Sequence, residues 1–206
     1  NISITKKLYF TIGIMAVLIV IEIFSLWFSH HMLKAVRASV QQEGVWSKAQ
    51  KDAINELKTY ILNGDITHYY HFKELLKVHQ GDKQAFNELK KTVPNTEIMK
   101  DGLLSSGIHE KDVNATIMLF QQFRFIGYVE KCIALFWEGD KLIGQLEVEA
   151  NNIHQTIQDN KGDRIKETAA ELEKLQVLNK QFTVLELEFS ETLGIVQSVY
   201  HNLGLN

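Results

Sequence analysis

Residues 8–28 read LYFTIGIMAVLIVIEIFSLWF, an apolar run whose only charge is Glu22. At about 1.5 Å per residue a helix of this length covers roughly 31 Å, the thickness of a bilayer's hydrocarbon core. Lys6 and Lys7 precede it directly, which places the short N-terminus in the cytoplasm. The run exceeds the apolar core of a signal peptide. No small-x-small cleavage site follows Phe28, and the chain continues in helical pattern through Ser29-His30-His31-Met32-Leu33. The segment therefore reads as an anchor that stays attached. Trp27 and Phe28 fall at the level of the lipid headgroups. Glu22 either faces a helix partner or snorkels to the outer interface.

Outward from the anchor, helical periodicity persists. Pro94 is the single proline in 206 residues, against a usual share of about 5%. Proline removes a donor and clashes inside helices, so its scarcity beside abundant Leu, Lys, Glu, Gln and Ala favours long helices. Trp46, Ala49, Ala53, Leu57, Tyr60 and Ile61 recur in steps of three and four, one apolar stripe that stops at Asn63-Gly64-Asp65. There Gly64 ends a helix and Asp65 caps the next. Gly81-Asp82 and Gly162-Asp163 read as the same stop-then-cap punctuation, while Gly139-Asp140 either breaks a helix or is carried within one. The expected helices beyond the first are Ile66–His79, Lys83–Lys91, Thr96–Leu104, Glu110–Ile126, Tyr128–Asn160 and Asp163–Leu203.

The last of these carries Ile165, Ala169, Leu172, Leu175, Leu178, Phe182, Leu185, Phe189 and Leu193 at a mean step near the ~3.5 of a helix-packing seam. Its Glu186, Glu188 and Glu191 exclude a second membrane crossing there. Residues 30–63 make roughly 50 Å of helix and residues 163–203 roughly 60 Å. Packed antiparallel, they return the chain to the membrane surface, which suggests that it continues into a second crossing. The expected fold is all-α: a membrane-anchored antiparallel helical bundle, four-helix-bundle-like, with long first and last helices. Residues 1–29 form the cytoplasmic N-terminus and transmembrane helix, and residues 30–206 an extracytoplasmic domain.

A net charge of −3 without a basic stripe gives no footprint for nucleic acid. Cys132 is the only cysteine, which excludes an intrachain disulfide framework and reads as a small core residue. Phosphate-cradling loops, nucleophile elbows, zinc-protease motifs and calcium loops are all missing from the sequence. No catalytic residue, metal ligand set or cofactor is expected. His68 and His71 share a helix face between Tyr69 and Tyr70 and, without a third ligand, read as a polar face.

Two constellations remain. Arg37 is followed by Glu43, Trp46 and Gln50 on one helical face, with Lys48 and Lys51 nearby, a polar and aromatic patch able to hold a small polar ligand or to fix helix register. Farther on, Phe120-Gln121-Gln122-Phe123-Arg124 and Phe136-Trp137-Glu138-Gly139-Asp140 supply core aromatics. In them Arg124 and Glu138 are set to pair or to meet an anionic ligand.

These segments resemble an uncharacterised input region found ahead of the output modules of bacterial sensor histidine kinases and diguanylate cyclase/phosphodiesterase receptors. The family carries a Glu-Gly-x-Trp-Ser-Lys-Ala-Gln-Lys-Asp-Ala run just outside its first membrane helix, matched here by Glu43 to Ala53. Phe123-Arg124-Phe125 and Trp137-Glu138-Gly139-Asp140 match its later segments, and the likeness spans about residues 6–193. The chain departs at Gln41-Gln42, where the family has a small pair, and at Lys111-Asp112-Val113. The resemblance implies the extracytoplasmic sensor of an inner-membrane receptor, without enzymatic activity of its own. Such a sensor works as a homodimer and relays a signal by helix displacement to a cytoplasmic kinase or cyclase. The resemblance names no ligand; read from the two constellations, a small molecule of unspecified identity would meet Arg37, Glu43, Trp46, Lys48, Gln50, Arg124, Trp137 and Glu138. The competing reading is a membrane-anchored helical scaffold that binds a protein partner.

Overall fold

The computed structural model describes residues 4–124, 127–159 and 164–202. Every regular element among them is helical: α1 Ile4–Asn63, α2 Ile66–Leu75, α3 Lys77–Leu89, α4 Thr96–Ser105, α5 Glu110–Gln122, α6 Gly127–Asp159, α7 Arg164–Glu167 and α8 Ala169–Asn202.

α1 is one uninterrupted helix of 60 residues, about 90 Å long at 1.5 Å per residue. Its first part is long and apolar enough to cross a membrane, and none of that stretch is buried. From Ser29 onward one face turns inward through Met32, Ala35, Ser39, Gln42, Gln50, Ala53, Leu57 and Tyr60. The helix ends as the Asn63-Gly64-Asp65 reading requires. Gly64 takes φ +74° and donates its N–H to the Tyr60 carbonyl at 2.8 Å, a left-handed stop that spares the Cβ penalty. The Asp65 side chain then accepts from the Thr67 N–H and caps α2.

The expected stop at Gly81-Asp82 is corrected. The break comes at Leu76, between α2 and α3, and α3 runs straight through both residues. Gly81 serves close approach instead: a Cβ there would lie 2.7 Å from the Gly102 carbonyl oxygen, and one on Gly102 would lie 2.6 Å from the Gly81 carbonyl. α3 and α4 therefore cross backbone against backbone, which only glycine permits. α6 passes unbroken through Gly139. The expected last helix is interrupted at the buried Thr168, between α7 and α8, whose carbonyl accepts from the Leu172 N–H at 2.9 Å. Gly162-Asp163, Phe125, Ile126 and Leu203 lie outside the described residues.

Side-chain contacts fix the directions of the long helices. Glu43 meets Ser190, and Lys51 meets Glu186, so α1 and α8 run antiparallel. Lys131 pairs with Glu188 and Lys174 with Glu149, so α6 and α8 are antiparallel too. Two apolar clusters form between the helices. One gathers Met32, Ala35 and Ala38 of α1 with side chains of α3, α4, α5 and the start of α6. The other gathers Ala53 to Ile61 of α1 with Tyr69, Phe72, Ile143 to Ile153 and Leu175 to Phe182. Along α1, residues 39–50 lie between the two clusters. That level carries the polar side chains.

Candidate functional site

A cavity opens at this level. α1 lines it with Ser39, Gln42, Glu43 and Trp46, and α3 with Asp82 and Phe86. Phe120 and Thr116 come from α5, Leu135, Phe136 and Gly139 from α6, and Leu185, Glu186 and Phe189 from α8. About 80 Å³ is open to the centre of a water-sized sphere. A single water needs about 10–15 Å³ on that measure, so the space suits a molecule of roughly five to eight heavy atoms. Apolar surface dominates, with polar groups at a few points, the usual make-up of a small-molecule site.

Asp82 is the most buried of the charged groups lining it, at 4% exposure. The Gln42 amide nitrogen donates to its Oδ2 at 3.0 Å and to the Ser106 carbonyl at 2.8 Å. Burial pushes the Asp82 carboxyl from its ordinary 3.8 up to about 6, against hydrogen bonds from Gln42 and Ser106. Both partners of the Gln42 amide are acceptors, which fixes its orientation and leaves its carbonyl oxygen buried without a donor. An orphaned buried acceptor costs about 1–3 kcal/mol.

Beside this pair runs a chain of hydrogen bonds through four side chains. The Trp46 Nε1 donates to His79 Nδ1 at 2.9 Å, and His79 Nε2 lies 3.0 Å from Asp140 Oδ1, which Lys83 also reaches at 2.8 Å. Indole N–H can only donate, so Nδ1 is the acceptor and the imidazole proton sits on Nε2, facing Asp140. Burial holds His79 below the ordinary histidine range, opposed by the bond to Asp140 and by its charge. Phe136 stacks on His79 with ring centroids 5.4 Å apart.

At the α8 wall, Ser190 donates to Glu43 at 3.2 Å. Burial raises the Glu43 carboxyl, and the charge of Glu186 adds to the rise, while Ser190 opposes it. Burial also works to raise Glu186, but hydrogen bonds from Ser47 and Lys51 outweigh it and hold that carboxyl below the usual range.

Of the residues singled out in the sequence, Glu43 and Trp46 line the cavity. Gln50 is buried, does not line it, and leaves its amide nitrogen without a partner. Arg37, Lys48 and Glu138 are exposed. Arg124 donates to the Leu89 carbonyl at 3.0 Å rather than pairing with Glu138. Trp137 lies under the Lys90 ammonium, 3.2 Å from its ring centroid, away from the cavity lining. Cys132 is buried, and its thiol is pushed up to about 11 by desolvation. Gln42, His79, Asp82, Asp140 and Glu186 were not singled out as site residues. His79 and Asp82 fall with Leu76, Phe86 and Leu89 on one helical stripe. That spacing is the signal that both are buried polar groups.

A second polar cluster lies near the end of α1. Glu56, His68 and His71 bring three ligand-type atoms within 4.8 Å of one another. Glu56, beside both rings, is the third ligand-type neighbour that the sequence reading of His68 and His71 lacked. His68 already bonds Glu56 directly. These are the described residues best placed to hold a divalent cation, with two nitrogens, one oxygen and positions left for water.

Comparison with protein-family models, curated proteins and solved structures yields no match.

Proposed function

We propose that this chain is the input region of a bacterial transmembrane signalling receptor. In this reading residues 8–28 anchor it in the inner membrane with the N-terminus cytoplasmic, and residues 30–206 form an extracytoplasmic helical bundle that pairs with a second copy. A small molecule enters the cavity, and the displacement of α1 against α8 passes to a cytoplasmic histidine kinase or diguanylate cyclase. The chain itself performs no catalysis. The observation that carries this reading is the continuity of α1. The helix that lines the cavity at Gln42, Glu43 and Trp46 is the same unbroken helix whose bare apolar portion is long enough to span a bilayer. Helix shifts of about 1–2 Å are a known means of passing a signal between sites.

The reading is tested on the coding region beyond Asn206. A second apolar stretch of ~20 residues followed by a kinase or cyclase module is the expected result, and a stop codon directly after Asn206 would overturn it. In the whole receptor, Gly139→Ala, which crowds Trp46, should change the output.

One observation favours a second reading, a membrane-anchored scaffold for a protein partner. Val177, Val184 and Leu187 on α8 are 51%, 64% and 60% exposed and recur at helical spacing. Capture of a single partner protein through this face, with no dependence on the cavity, would support it.

A further inference from the structure

The cavity that the proposed function treats as the ligand site has a definite chemical bias, and the inference rests on that reading. Its lining includes three carboxylates, Glu43, Asp82 and Glu186, and no cationic side chain. Glu186 already has Lys51 at 2.9 Å. Glu43 and Asp82 have hydrogen bonds but, among the described residues, no ion pair. The remaining wall is aromatic and aliphatic, with Trp46, Phe120 and Phe136 among its rings.

A carboxylate cluster alone says little, but Gln42 adds independent evidence. It is 9% exposed, lines the cavity, and is held by two acceptors that consume its amide nitrogen. Its carbonyl oxygen consequently has no donor. A ligand that completes this site must bring N–H or O–H donors to Gln42 and positive charge to Asp82 and Glu43, and it must present apolar surface to the rings. A carboxylate or phosphate ligand would add charge repulsion and leave the Gln42 oxygen unsatisfied. An uncharged alcohol would satisfy Gln42 but not the two carboxylates.

We infer that the cavity binds a small apolar ammonium, a primary or secondary amine of about five to eight heavy atoms, its N–H groups on Gln42 and Asp82 and its hydrocarbon against the aromatic wall. Aromatic faces attract cations through their quadrupoles, so the rings favour the same charge as the carboxylates. Glu43 stands nearer the α8 wall, where it adds to the attraction, although Lys51, paired with Glu186, offsets part of its charge.

The test is isothermal titration of the full chain in neutral maltoside micelles with butylammonium and benzylammonium. Butanol, benzyl alcohol, butyrate and benzoate serve as shape controls, and each titration is repeated on Asp82→Asn and Glu43→Gln. Both ammonium ions should bind saturably at one site, with the alcohols and carboxylates at least about tenfold weaker. Loss of one charged hydrogen bond should weaken ammonium binding about ten- to a hundredfold in Asp82→Asn. The partly exposed Glu43→Gln, which leaves the α3 layer intact, should weaken it several-fold. Equal binding of the neutral or anionic controls would overturn the charge class while leaving the cavity a ligand site. Ammonium binding unchanged in both variants would overturn the assignment to these residues. Absence of saturable binding by every compound would overturn the inference together with the cavity as a ligand site.

Discussion

One substitution made at three helical glycines should give three different results. Gly44 on α1 has no atom within 4 Å of an added Cβ. Gly44→Ala therefore collects only the propensity gain of about 0.5–1 kcal/mol. At Gly102 the added Cβ would lie 2.6 Å from the Gly81 carbonyl oxygen and 2.9 Å from the Ala85 nitrogen. Both are backbone atoms, so α3 and α4 must separate, and Met99 and Leu103 beside them are 1% exposed. Overpacking of a filled core costs about 1–3 kcal/mol. With the propensity gain set against it, Gly102→Ala should lose about 1–2 kcal/mol. Gly139 is intermediate: its Cβ would meet Trp46 Cζ2 at 3.2 Å and Leu185 Cδ2 at 3.3 Å, side chains that can yield by a few tenths of an ångström. Gly139→Ala should stay within about 1 kcal/mol of the parent while narrowing the cavity. Helicity followed during heating, in one detergent for all four proteins, reads these differences at about 2–4 °C per kcal/mol for a chain of this size. A Gly102→Ala protein as stable as Gly44→Ala would refute the backbone-on-backbone crossing and, with it, the reason given for Gly81.

Two further predictions concern the polar layer. Asp82 has its carboxyl raised from 3.8 to about 6, worth about 3 kcal/mol of strain against the ionised form; its stabilising contribution is complete below 3.8 and lost as pH rises through about 6. Asp82→Asn should therefore gain relative to the parent between pH 4.5 and 7.5 in thermal melts, and a difference independent of pH would refute the burial argument. Trp46→Phe removes the N–H that faces His79 Nδ1 and should cost about 1–3 kcal/mol at pH 7.5. Burial holds His79 below its ordinary 6.5 in both proteins, but only in the parent does protonation at Nδ1 also break the Trp46 hydrogen bond, so the parent loses more of that histidine's contribution as pH falls below about 6.5. The gap between the two proteins should consequently narrow toward pH 5.5, and a constant gap would exclude the assigned tautomer.

Elements with one strong local cause were readable in the sequence. Gly64 and Asp65 announce both the end of α1 and the cap of α2, because a left-handed stop and a side-chain cap are local events. The same dipeptide at Gly81-Asp82 misled, because its cause is the distant α4 backbone and local spacing holds no record of that. Glu43 and Trp46 stood out as polar and aromatic groups on an otherwise apolar face. Arg37 and Lys48 share their neighbourhood in sequence but point outward, since a helix turns adjacent charges onto opposite faces. Asp82 was hidden by its supposed role as a cap. His79 was hidden at the end of a helix that in fact ends at Leu75.

The placement of the polar layer bears on how the proposed receptor would work. Because no protein group donates to the Gln42 oxygen and no protein cation pairs with Asp82 among the described residues, a ligand that supplies both would regain free energy on binding. A ligand shifts a conformational equilibrium only by its differential affinity for the two states. The walls are unequal in stiffness. α3 and α4 are locked backbone to backbone at Gly81 and Gly102, so Asp82 is held on a block that resists displacement. α1 meets α6 and α8 near Gly139 through the side chains of Trp46 and Leu185, and side chains re-seat more cheaply than backbones. A ligand drawn to Asp82 on the stiff side and to Gln42 and Glu43 on α1 would therefore move α1 rather than the α3–α4 block. α1 is also the helix that continues, without a break, into the apolar segment of residues 8–28.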